Sequence, residues 1–140
     1  MADLQAELQK LVNAVEDKQK AYNAYLEASK KHNDIILALA EKQPIDISDF
    51  EDAEDLYNEM ILTEKNYRIQ NEVFKLSRQD VIAKLAPVQN IKIKFTHIKE
   101  KNGKQATDYY VWLKYNAENP NESQLVLQKL NDETHEPLLF

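Results

Sequence analysis

Apolar and aromatic side chains recur through the first 40 residues at an alternating four-then-three spacing: Leu4, Leu8, Leu11, Val15, Lys18, Tyr22, Tyr25, Ser29, His32, Ile36 and Leu39. Eight of these eleven positions are non-polar, which is the narrow seam of a helix paired with another helix. Val12, Leu26 and Leu37 widen the stripe, while Ala14, Ala21, Ala24 and Ala28 are expected towards the other side. Neither Gly nor Pro interrupts residues 3–43. The spacing therefore predicts one helix over about 3–42, about 60 Å long.

Pro44 ends that helix, and the linker through Ile47 is short, so the next helix is expected to fold back antiparallel. Ser48 with Glu51 three residues on reads as a capping box. The second helix then runs over about 49–86 to Pro87. Its seam is Phe50, Ala53, Tyr57, Met60, Glu64, Tyr67, Asn71, Phe74, Arg78, Val81 and Leu85. Leu62, Ile69, Val73 and Leu76 fall on the opposite side of the same helix. A helix apolar on two opposed faces has to be covered twice.

After Pro87 the period changes to two. Ile91, Ile93 and Phe95 alternate with Lys92, Lys94 and Thr96, and Tyr109, Val111, Leu113 and Tyr115 alternate with Tyr110, Trp112 and Lys114. The Glu100-Lys101-Asn102-Gly103-Lys104 run between them signals a hairpin. A two-residue Asn-Gly turn mixes lysines into the apolar face. A three-residue loop, Lys101-Asn102-Gly103 with the glycine left-handed, instead pairs Ile91 with Leu113, Ile93 with Val111 and Phe95 with Tyr109. A one-residue slip inverts a strand's faces, so the three-residue loop is preferred. Residues 124–130 read as a third strand, with a short helix as the alternative, and residues 131–140 as a loose tail. The expected fold is α+β: a long antiparallel two-helix hairpin over 1–87, then a small antiparallel meander of two to three strands over 88–130.

Composition narrows the chemistry. At 140 residues the chain suits one core, and its single glycine excludes every Gly-rich phosphate loop. The absence of cysteine removes thiolate nucleophiles, disulfides and Cys-ligated zinc. No apolar leader opens the sequence and no stretch reaches about 18 apolar residues, so a cytoplasmic protein without membrane contact is expected. The net charge of −6 is uneven. Residues 1–87 hold 11 Lys and Arg against 17 Asp and Glu, whereas residues 88–140 hold seven of each sign.

Catalytic groupings are not evident. His32, His97 and His135 lie in different elements, and no His-Glu-x-x-His or Glu-x-x-His pair exists. His32 is expected in the helical seam, and His97 on the sheet surface or paired with Thr107. Ser48 is accounted for by capping, and no motif surrounds the remaining serines. Neither a metal nor a cofactor is expected, and the protein is read as non-enzymatic.

Three surfaces remain as candidates for partners. Leu62, Ile69, Val73 and Leu76 form a candidate oligomer interface, which points to an assembly protein that self-associates as a homodimer, of the kind found among adaptors and phage or plasmid accessory proteins. Lys92, Lys94, Tyr110, Trp112 and Lys114 form a candidate nucleic-acid face, because lysines interleaved with aromatics suit single strands. Asp49, Asp52, Glu54, Asp55 and Glu59 form an acidic patch. It reads as a solvated helix start or as the surface of an inhibitor that fills a partner's basic groove.

Overall fold

The structure is a computed structural model that describes residues 3–100, 104–114, 118, 123–130 and 138–139. Helix α1 spans Leu4–Glu41 and helix α2 spans Ile47–Leu85, each within about two residues of its sequence-predicted bounds. A single 3-10 turn, Ala86–Val88, carries Pro87 and ends the helical part. Strands β1 (Ile93–Glu100), β2 (Lys104–Lys114), β3 (Gln124–Lys129) and β4 (Leu138–Leu139) form an antiparallel sheet in the order β1-β2-β3-β4. The fold is thus α+β, a helical hairpin followed by a meander. By compactness the chain makes two units, residues 1–13 with 74–140, and residues 14–73. Each unit takes part of both helices, whereas division by element type falls at Pro87.

In the first unit the sheet buries the face of Phe95, Tyr109, Val111 and Leu113, and Val126 on the opposite face is buried as well. Ile93 pairs with Val111 and Phe95 with Tyr109, the register of the three-residue loop, and Glu100 pairs with Lys104. The loop itself, including Gly103, lies outside the described residues. Phe95, Tyr109, Val111, Leu113, Leu125 and Leu127 form a core with Leu8, Leu11 and Val12 of α1 and Val81 and Leu85 of α2. Phe95 and Tyr109 stack with centroids 5.4 Å apart. Residues 124–129 are strand, with Leu125, Val126 and Leu127 buried.

Three details of this unit differ from the sequence reading. Ile91 does not pair with Leu113. Asn90, left-handed at φ 63°, donates its amide to the Leu113 carbonyl at 2.8 Å, and β1 begins only at Ile93. Asparagine tolerates this conformation because its short polar side chain compensates locally. Leu138 and Leu139, assigned to a loose tail, pair with Leu127 and Val126 as β4 and extend the sheet beyond β3. His97 is not on the sheet surface. It is paired with Thr107, as the alternative held, but it is 2% exposed and its Nε2 lies 2.8 Å from Asn13 Oδ1.

That contact is one rung of a row. Gln5, Gln9 and Asn13 follow one another at four-residue steps along α1. Gln5 Nε2 donates to the Thr96 carbonyl at 2.6 Å. Gln9 Nε2 donates to the Ile98 carbonyl at 2.6 Å, while the Ile98 amide donates to Gln9 Oε1 at 3.0 Å. The spacing fits because four helical residues rise about 6.0 Å and two strand residues about 6.7 Å. Amide side chains of one helix thereby satisfy backbone groups on the free edge of β1.

In the second unit the two helices run antiparallel. Tyr22 meets Tyr67 edge-on at 5.2 Å and His32 meets Tyr57 at 5.4 Å, and each pair of residue numbers has the same sum. His32 is in the seam as expected. The alanines are a correction: Ala14, Ala21 and Ala28 are buried, not turned away, and only Ala24 is exposed. The buried row of α1 runs Ala14, Lys18, Ala21, Tyr25, Ala28, His32, Ile35 and Leu39, every one buried or half-buried. On α2, Ala53 is buried, and Leu56, Met60, Thr63 and Tyr67 are half-buried, while Phe50 and Tyr57, placed in the seam by their spacing, are exposed.

The start of α2 is a second correction. The helix begins at Ile47, and the Asp46 amide donates to Asp49 Oδ2 at 3.3 Å. The side chain that caps this end is therefore that of Asp49, bonded back to the Asp46 amide, and Ser48 lies inside the first turn. Both pairs have the three-residue spacing, and the one closer to Pro44 is used. The Gln43–Pro44 peptide is cis.

Two substitutions measure the first unit. Leu127→Ala, which empties a fully enclosed site, is expected to cost about 2–5 kcal/mol by denaturant unfolding followed at Trp112. Gln9→Ala removes both bonds to Ile98 at a more exposed site and is expected to cost about 1 kcal/mol. Equal unfolding midpoints for Gln9→Ala and wild type would show that the amide row adds nothing to stability.

Candidate interaction surfaces

Ala53 and Tyr67 face α1, and on the other side of α2 Leu62 is 69% exposed, Ile69 59% and Val73 48%. All three belong to the second unit; Leu76, in the α2 segment of the first unit, is exposed as well. Burying a large aliphatic side chain is worth about 1.5–3 kcal/mol. Leaving a regular row of them in water therefore forgoes several kcal/mol. The row carries charge at its margin: Lys65 and Glu72, seven residues apart, occupy the same position of the repeat.

The outer sheet face in the first unit brings together the five residues of the candidate nucleic-acid surface. Lys94 is paired with Tyr110, Trp112 with Val126 and Lys114 with Gln124, all turned away from the core. The three lysines are exposed and the two rings half-buried. Lys92 Nζ sits 4.8 Å from the Trp112 ring centre and 5.8 Å from that of Tyr110, a cation–π arrangement that covers the rings. Asp108 shares this face and accepts a hydrogen bond from Thr96 Oγ1 at 2.6 Å. A carboxylate among the lysines reduces the field available to a phosphate chain.

The end of the helical hairpin is the third surface. Asp52, Glu54, Asp55 and Glu59 are exposed along the first turns of α2, and Asp49 is half-buried. Lys42 Nζ lies 3.0 Å from Asp49 Oδ2. The Lys42 hydrogen bond first, and the Asp46 amide second, hold the Asp49 carboxyl below its ordinary value. Among the described residues no three His, Asp or Glu side chains converge on a point that could hold a metal. Beside the acids lies a groove of about 600 Å³ lined mainly by Ile36, Leu39, Pro44, Phe50 and Tyr57, with His32 in its wall. Sequence reasoning missed this groove, because it treated Phe50 and Tyr57 as seam residues hidden by α1.

Comparison with protein-family models, curated proteins and solved structures finds no match to this chain. Function therefore has to be argued from these surfaces alone. No helix among the described residues is long and apolar enough to cross a membrane.

The hairpin end also has a pH signature. A carboxyl whose pKa is lowered by folding stabilises above its unfolded value, about 4, and loses that contribution as pH falls through the lowered value. Acidification is thus expected to reduce the thermal stability of wild type more than that of Asp49→Asn, as followed by helical circular dichroism. Parallel pH profiles for the two proteins would remove Asp49 from this role.

Proposed function

We propose that this chain is a non-enzymatic assembly protein whose α2 pairs, antiparallel and about a two-fold axis, with α2 of a second copy. The observation that carries the reading is the solvent-exposed apolar row on α2. Leu62 and Leu76 stand seven residues before and after Ile69, so these three positions read the same in either direction, while Val73 of one copy falls opposite Lys65 of the other. A two-fold contact must be self-complementary in this way. With the axis near Ile69, Lys65 of one copy comes within one residue of Glu72 of the other, and the reverse pair follows by symmetry. Opposite charges at one repeat position support antiparallel pairing and disfavour parallel pairing, which sets like charges together.

The test is light scattering with helicity measured in parallel. Wild type is expected at twice the chain mass at micromolar concentration, and Leu62→Glu, altering a side chain already in water, is expected to give a folded monomer. Lys65→Glu should weaken the dimer, and adding Glu72→Lys should restore it. A wild type that is monomeric throughout, or charge variants that leave the mass unchanged, would remove the antiparallel dimer.

A further inference from the structure

We infer that the groove at the end of the hairpin is a docking site for a basic amphipathic helix of a partner protein. This surface is separate from the α2 row and uses different residues. The groove lies between the last turns of α1 and the first turns of α2, both within the second unit. Its lining is predominantly apolar, and Phe50 within it is 55% exposed. Ile47, in the first turn of α2, is 78% exposed, and Leu37 also stands in water. Neither capping nor the hairpin packing requires a large apolar side chain at these positions. Charged or polar residues there would complete the same helix start at no cost in burial.

The chemistry of the occupant follows from the rim. Residues 41–59 hold eight acidic side chains and one basic one, Lys42, and that lysine is engaged by Asp49. Glu54 enters the groove wall, and Glu51, Asp52 and Asp55 are exposed in the same first turns of α2. An apolar trough bordered by one sign of charge selects a ligand with apolar anchors and the opposite charge on its flanks. The dimensions suit a helix. The lining of α1 runs from His32 to Ala40, about 12 Å of helix axis, enough for anchors at i, i+3 or i+4, and i+7. An anionic ligand is disfavoured by the same rim, which separates this site from a nucleic-acid or phosphate site.

The experiment uses the full chain and three labelled synthetic peptides of about 18 residues, long enough for five helical turns. One places leucines on a single helical face and lysines elsewhere, the second replaces the lysines by glutamates, and the third scrambles the first. Fluorescence anisotropy is expected to show binding of the first peptide alone, weakened by added salt. Phe50→Ser should weaken it roughly tenfold, as loss of a central aromatic anchor does. Glu54→Lys with Asp55→Lys, on the exposed surface, should weaken it independently of any packing change. Equal binding of the scrambled peptide would reduce the site to charge attraction and overturn the proposal, as would binding indifferent to Phe50→Ser. A drop in chain mass on Phe50→Ser by light scattering would overturn it in favour of a second copy as the occupant. The Leu62→Glu protein should bind the peptide as wild type does, so failure of the dimer and failure of this site are read separately.

Discussion

Among the described residues strand β1 has no further strand beyond it, and the amide row on α1 supplies what a strand would have supplied. Helix and strand rises differ, so side chains of one can follow the backbone of the other only over a short distance. Gln5 and Gln9 reach the backbone of Thr96 and Ile98 within that distance, and Asn13, one helical step on, meets the side chain of the buried His97, which precedes Ile98. The row locks the first three turns of α1 to one register of the sheet. With that register set, Leu8, Leu11 and Val12 fall over Phe95, Val111 and Leu127. The other side of the core is closed by Val81 and Leu85, which arrive from the far end of α2. The first unit is therefore held by residues from both ends of the helical hairpin and from the sheet. No stretch of the chain builds it alone.

Much of this was legible because local signals agreed with one another. Pro44 and Pro87 bound the helices, since proline removes a backbone donor and clashes with the preceding turn. The hairpin register was legible because only one loop length keeps Ile93, Phe95, Tyr109 and Val111 on one face. The helical seam was legible only in part. Leu11, Lys18, Tyr25, His32 and Leu39 belong equally to two overlapping four-three rows. One row adds Val15, Tyr22 and Ile36; the other adds Ala14, Ala21, Ala28 and Ile35. Hydrophobicity favours the first, whereas the structure buries the second more deeply, because small side chains let two helix backbones approach. His97 was illegible in principle. A histidine in an alternating strand is equally at home in water, and its partner Asn13 lies 84 residues away.

The surfaces follow the same logic. The observed register places Lys94, Tyr110, Trp112 and Lys114 on one sheet face, with Lys92 over the two rings. Their rings are nonetheless half-buried beneath Lys92, and Asp108 stands among the lysines. The α2 row was legible from periodicity alone, since 62, 69, 73 and 76 share a face whatever covers the helix. The groove was not, because its walls come from residues 32–43 and 50–57, and only the antiparallel pairing brings them together.

Geometry explains why exposed apolar area gathers on the second unit. A sheet covered by two helix segments can enclose its apolar face, and among the described residues of the first unit the large hydrophobic side chains in water are Leu76, Ile91 and Ile98. Two helices alone have one shared seam, and every apolar residue outside it stays exposed. Leu26, Leu37, Leu62 and Ile69 are in that position. Substituting polar residues there would cost the isolated chain nothing in packing and would raise its solubility. The apolar choice is consistent with stability gained only when something else is bound. The charges beside these residues differ by place: mixed signs along α2 near Ile69, and almost uniformly acidic at the hairpin end. A mixed margin suits a second copy of the same helix, whereas a margin of one sign repels a copy of itself and admits a basic partner. The two margins thus differ in the charge of the occupant each would favour.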